Sequence, residues 1–155
     1  MANKIIATNR KAYHNYHILQ KYESGIVLLG SEVKSIREGK INIKESYVRF
    51  IKDEIYAVSM NIAEYSHKGY NTHDPQRIKK LLLNKKELKE IKEYVNQKGH
   101  TLIPTSVYLK NGKIKVEFGI AKGKKLWDKR KDEMDKDIKR DIDRELKGRV
   151  WNLQI

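Results

Sequence analysis

Between Lys113 and Ile120 the chain alternates without a break: Ile114, Val116, Phe118 and Ile120 fall on one face, Lys113, Lys115, Glu117 and Gly119 on the other. That period of two predicts a half-buried antiparallel strand. Just before it, Asn111-Gly112 is a strong hairpin signal, because both residues tolerate positive φ. The partner strand is Thr101 to Leu109, with Pro104 marking an edge or a bulge. A second hairpin joins Tyr47–Ile51 to Ile55–Ile62 across Lys52-Asp53-Glu54. Ile26–Leu29 reads as a short apolar strand, preceded by another around Tyr16–Leu19.

Two helices interrupt the strands. Gly30 and Gly39 bracket Ser31 to Glu38, with Ser31 as the expected N-cap. In Asn84 to Lys98, Asn84 caps, Glu87 stands three residues on, and Leu88, Ile91 and Val95 form one apolar stripe closed by Gly99. Five or six short strands with two accessory helices predict a mainly β fold, an OB-like antiparallel barrel. After Gly123 the pattern changes. Met134, Ile138, Ile142, Leu146 and Val150 recur every four residues amid dense charge, with acid-before-base pairs such as Asp132–Lys136 and Asp143–Lys147. A four-residue spacing drifts around a helix and leaves a thin seam, and packing normally supplies most helical stability. The expected organisation is a body over 1–123 and a charged, helix-prone tail over 124–155, disordered when free.

Charge then narrows the function. The chain carries 34 Lys and Arg against 20 acids, a net charge of +14, which attracts polyanions. A Lys-rich genome could supply part of this, but the excess is not uniform. Residues 1–127 hold 25 basic and 12 acidic side chains, residues 128–155 hold 9 and 8. The body is the basic part. With no cysteine, disulfides, thiolate metal sites and thiol nucleophiles are excluded. No signal segment or long apolar run is present in the sequence, so a cytoplasmic protein without membrane attachment is expected.

Catalytic patterns are sparse. The five histidines are scattered, no carboxylate pair or nucleophile elbow stands out, and Gly123-Lys124-Lys125 lacks the upstream glycine of a phosphate loop. His14 and His17 lack a third ligand nearby in sequence, so they read as polar surface. Neither enzyme activity nor a cofactor is expected; a metal-free nuclease is a remote alternative. The densest constellation is Ala121-Lys122-Gly123-Lys124-Lys125-Leu126-Trp127-Asp128-Lys129-Arg130, cations around one large aromatic where the last strand ends. Such a mixture suits a phosphate backbone with a base to stack on, although most charge runs are merely solvated.

An ordered set of motifs resembles the small protein B (SmpB) family. They are Asn9-Arg10-Lys11-Ala12, Tyr22-Glu23-Ser24-Gly25-Ile26, and Gly30-Ser31-Glu32-Val33-Lys34-Ser35-Ile36-Arg37-Glu38-Gly39-Lys40. Ser46-Tyr47, Asp74-Pro75, Arg77-Ile78-Lys79-Lys80-Leu81-Leu82-Leu83-Asn84, Lys98-Gly99 and the run from Ala121 to Arg130 continue it. The resemblance implies an OB-like barrel that binds the tRNA-like domain of tmRNA, supports its alanylation and brings it to stalled ribosomes for trans-translation. The tail would occupy the decoding region of the small subunit and the empty mRNA channel. Alanyl-tRNA synthetase and elongation factor Tu would be indirect partners, and a monomer is expected.

By position, Glu23, Leu82 and Asn84 match the tmRNA contacts of that family. Lys124, Lys125, Asp128, Lys129 and Arg130 match its ribosome-acting segment. Trp127 stands where His or Tyr is expected; stacking on rRNA survives that change, a role needing an ionisable proton does not. The tail is also less basic than the resemblance implies. Asn84 and Leu82 have plainer readings, as a helix cap and as core; an isolated Glu facing RNA is electrostatically odd, and Glu23 makes sense if it accepts hydrogen bonds from base edges or orders a basic neighbour. The alternative for the whole chain is a general OB-type RNA-binding module without tmRNA specificity.

Overall fold

The computed structural model describes residues 4–64, 73–97, 99–124, 130, 133–134, 136–140 and 144. The chain divides into two compact units, Met1–Gly123 and Lys124–Ile155.

In the first unit the elements follow in the order β1 (Lys4–Thr8), α1 (Arg10–Asn15), β2 (Tyr16–Ile26), α2 (Gly30–Arg37), β3 (Ile41–Asn42), β4 (Tyr47–Ile51) and β5 (Glu54–Val58). Then come β6 (Asn61–Ile62), β7 (Lys79–Leu82), α3 (Lys85–Val95), β8 (His100–Lys110) and β9 (Lys113–Gly123). All pairings are antiparallel, and they close on themselves: β8–β4–β5–β7–β2–β9 and back to β8, with β1 added alongside β8. Closure removes the free edges of those six strands, which is how a small basic β protein avoids strand-to-strand aggregation. β3 and β6 form a separate two-stranded sheet.

The predicted hairpins form for the predicted reason. Asn111 and Gly112 have φ of 53° and 77°, and Lys110 pairs with Lys113 across them. Lys52 and Asp53 make the same left-handed turn, so Glu54 belongs to the strand rather than the turn and pairs with Ile51. Pro104 marks a bulge: the β8–β9 register shifts between Pro104 and Ser106, while β8 keeps partners on both sides.

Several expectations are corrected. Tyr16–Leu19 and Ile26–Leu29 are not two strands: one strand, β2, runs from Tyr16 to Ile26, held along its length by β9, and Val27 to Leu29 lie beyond it. The second strand of the 47–62 hairpin ends at Val58, because Ser59 takes φ of 58° and turns the chain into β6. Ser31 does not cap α2. Leu29 occupies the N-cap, Glu32 reaches back to accept from its N–H at 2.7 Å, and the Ser31 hydroxyl meets His73 Nδ1 at 2.8 Å. Two expected helices become three with α1, whose N-cap Asn9 has its own long-range bonds. The Asn9 carboxamide accepts from Ala12 N–H and donates to the carbonyls of Ile43 and Pro104.

Tyr22, Val48, Ile55, Ala57, Leu81, Leu102, Val116, Phe118 and Ile120 fill the main core, with Ile36 from α2 and Ile91 from α3. A smaller cluster of Ala12, Ile103 and Ala121 lies elsewhere. There, neighbouring positions of β8 and β9 are buried on both faces. The core also contains charge. Lys79 is fully buried and donates to the carbonyls of Met60 (2.7 Å) and Arg77 (2.6 Å), and Glu32, equally buried, is held by Arg77.

In the second unit, the described residues from 130 to 144 have helical backbone and are exposed, including Met134 and Ile138 of the apolar seam.

Candidate nucleic-acid interface

The registers of four neighbouring strands build one surface. Tyr108 pairs with Lys115, Lys115 with Gly25, and Gly25 with Leu82, so these residues stand side by side on β8, β9, β2 and β7. Their sequence neighbours Val107, Val116 and Ser24 pair across the strands and are buried, as is Leu81, which pairs with Ile26. Directly paired residues project to the same side of a sheet, so Tyr108, Lys115, Gly25 and Leu82 lie on the opposite side, where Leu82 is exposed and Tyr108 remains covered. One step along, Ser106, Glu117 and Glu23 form the next outward row. Continuing the β2–β7 register by two residues brings Asn84 level with Glu23.

Glu23 and Leu82 thus share one face, and Asn84 follows at its edge as the N-cap of α3. Leu82 is about half exposed (51 %), not core. Gly25 makes room for it: a Cβ there would lie 3.3 Å from Leu82 Cβ. Asn84 is exposed, and its side chain accepts from Glu87 N–H at 2.9 Å. It caps the helix as expected, and that cap fixes its position at the rim.

Glu23 does not stand alone. Its carboxylate accepts a hydrogen bond from the Tyr108 hydroxyl, and Lys110 Nζ approaches to 3.3 Å. The Tyr108 hydrogen bond, with Lys110 and Lys115 nearby, holds the Glu23 carboxyl below the usual carboxylate range. Burial, reinforced by Glu23, pushes the Tyr108 phenol up. Glu23 is therefore an ionised acceptor fixed among cations. Next to Leu82 an open groove of about 430 Å³ is lined by Arg37, Lys113 and Lys115 together with Leu28, Val33 and Ile114. Apolar patches beside cations suit unstacked bases and phosphates together.

Sequence reasoning missed Tyr108, Lys110 and Arg37 as parts of this face. The β9 alternation already put Lys113 and Lys115 on the outer side; only the three-strand register, a non-local property, adds Tyr108. The other expected residues belong to the second unit. Lys124 follows β9 directly, and Arg130 is exposed on helical backbone. Lys125, Trp127, Asp128 and Lys129 lie outside the described residues. Among the described residues no cluster of His, Cys, Asp or Glu could hold a metal ion, and no helix is long and apolar enough to cross a membrane.

The family model for SmpB protein matches residues 6–148. The chain belongs to the SmpB family. The SsrA-binding protein of Persephonella marina is 49% identical over 97% of this chain and 99% of its own length. That of Alkaliphilus oremlandii is 52% identical over 94% of each. A chain in a solved structure described as "tmRNA-SmpB: a journey to the center of the bacterial ribosome" matches with a TM-score of 0.66 and 45% identity, covering 77% of this chain and 85% of that one.

Proposed function

We propose that this chain binds tmRNA and works with it on the bacterial ribosome in trans-translation. Membership of the SmpB family carries the reading, supported by the match to a chain of a tmRNA-SmpB structure. The face bearing Glu23, Leu82 and Asn84 takes the tRNA-like domain. Its cations contact phosphates and supply affinity, while Glu23 and the half-exposed Leu82 select among RNAs. In this reading the protein supports alanylation without itself catalysing a reaction. It meets alanyl-tRNA synthetase and elongation factor Tu through the RNA, acts as a monomer and resides in the cytoplasm. The segment Lys124, Lys125, Trp127, Asp128, Lys129 and Arg130 contacts rRNA, and the tail orders as a helix in the decoding region and the empty mRNA channel.

Competition binding tests this. Labelled tRNA-like domain of tmRNA is bound by the full chain in ~0.15 M salt, a condition where phosphate-only binding is already weakened, with excess unlabelled elongator tRNA. Binding that survives the competitor supports the assignment. Binding erased by it leaves a general basic barrel, and the tmRNA reading falls.

A further inference from the structure

We propose that Tyr108 is a positioning residue for RNA recognition, locking Glu23 so that one carboxylate oxygen faces the RNA as a directed acceptor. The inference rests on the reading of the Glu23 face as the tmRNA-binding surface. A carboxylate on a cationic surface opposes a polyanion unless it makes specific hydrogen bonds. Lys110 alone would neutralise Glu23 while leaving it free to swing, because a lysine ammonium is a mobile point charge. Tyr108 behaves differently. The residue is only 6% exposed, so the phenol is fixed by the body, and its hydroxyl donates to Oε2 of Glu23.

β9 lies between these partners: Tyr108 is on β8, Glu23 on β2, each paired to β9. The clamp therefore ties the acceptor to two strands instead of one. An ionised carboxylate has about four acceptor positions, so one holding the Tyr108 phenol and the Lys110 ammonium at 3.3 and 3.4 Å can still take a further donor. The chemistry it selects is an N–H-bearing edge of an unpaired base.

A double-mutant cycle on the full chain decides the matter, with Glu23→Gln, Tyr108→Phe and both, the readout being preference for the tRNA-like domain over elongator tRNA. Tyr108→Phe keeps the buried ring and is expected to lower that preference about five- to tenfold, within the range of a typical net hydrogen bond. Glu23→Gln lowers it at least as much, and the double variant is no worse than Glu23→Gln alone. Glu23→Asp retains the charge but withdraws it from the phenol, and should lose the preference too. Carboxyl NMR titration adds a readout that a packing role would not move: Glu23 titrates at higher pH in Tyr108→Phe. Losses that multiply, or an unchanged preference in Tyr108→Phe, overturn the proposal. If Glu23→Gln is silent while the parent still prefers tmRNA, the proposal fails and the functional reading stands. If the parent shows no preference, both fail.

Discussion

Arg77 forks onto Glu32, with Nε 3.1 Å from Oε2 and Nη2 2.6 Å from Oε1. A third bond from Nη2 to the carbonyl of Val27 (3.1 Å) ties the fork to the chain just past β2. Glu32 is fully buried, while a third of the Arg77 side chain stays exposed. Burial alone would push the Glu32 carboxyl up; the Arg77 fork and the Leu29 N–H outweigh it and hold the carboxyl below its ordinary 4.5.

Removing the guanidinium strands a buried carboxylate. Arg77→Met is expected to destabilise the protein by about 2–3 kcal/mol at neutral pH in urea unfolding, near the low end for a broken buried pair because the arginine is partly solvated. A depressed carboxyl contributes stability above its unfolded pKa and loses it as pH falls through the folded one. The gap between parent and variant should therefore narrow as pH falls below the ordinary 4.5 and through the folded value. A gap that stays constant down through the acid range would show that Arg77 acts through packing.

Lys79 works in the opposite pH range. Burial lowers its pKa from 10.5 to about 8, against the opposing pull of Glu32. Between those values the unfolded chain binds more protons than the folded one, so stability contributed at this site rises with pH. Relative to Lys79→Met, the parent should gain about 2–3 kcal/mol between pH 8 and pH 10.5. A flat difference across that window would mean the ammonium is not desolvated.

Asn84 has two separable duties. Asn84→Ala should cost about 1 kcal/mol through loss of the cap alone, which confounds any binding defect. Asn84→Asp retains a good cap and adds a negative charge at the rim. It should melt within a few degrees of the parent yet bind the tRNA-like domain more weakly, with the deficit growing at low salt. Unchanged affinity would remove Asn84 from the interface.

Gly119 is required by Ile18. A Cβ at Gly119 would meet Ile18 Cγ2 at 2.6 Å and the Gln20 carbonyl oxygen at 3.3 Å. Gly119→Ala should cost about 1–3 kcal/mol by overpacking, and Ile18→Ala in the same chain should restore part of it. Additive losses in thermal or urea unfolding would refute the contact.

What the sequence made legible was local. The Asn111-Gly112 turn, the alternation of β9 and the capped α3 each carry their signal within a dozen residues. β7 carries none: Lys79-Lys80-Leu81-Leu82 fits either phase of a strand, and only its pairing with β2 and β5 puts Lys79 inside and Leu82 outside. The polar stretch Gln20 to Ser24 hides the continuity of β2 in sequence, because it is held in the strand by its pairing with β9 rather than by an apolar pattern of its own. Glu23, Leu82 and Asn84 were reached by resemblance; their common face follows from register. Tyr108 joins them only through the register of β8, β9 and β2.

The ring of strands also dictates an order of events during synthesis. β1 and α1 leave the ribosome first, yet their partners are β8 and the carbonyls of Ile43 and Pro104. β2 waits likewise for β9. Neither can finish folding until the chain has been made through Gly123, and such long-range closure is slow. A nascent chain cut short before the Asn111-Gly112 turn would hold an unclosed sheet with open edges. The barrel is therefore all or nothing with respect to the length translated.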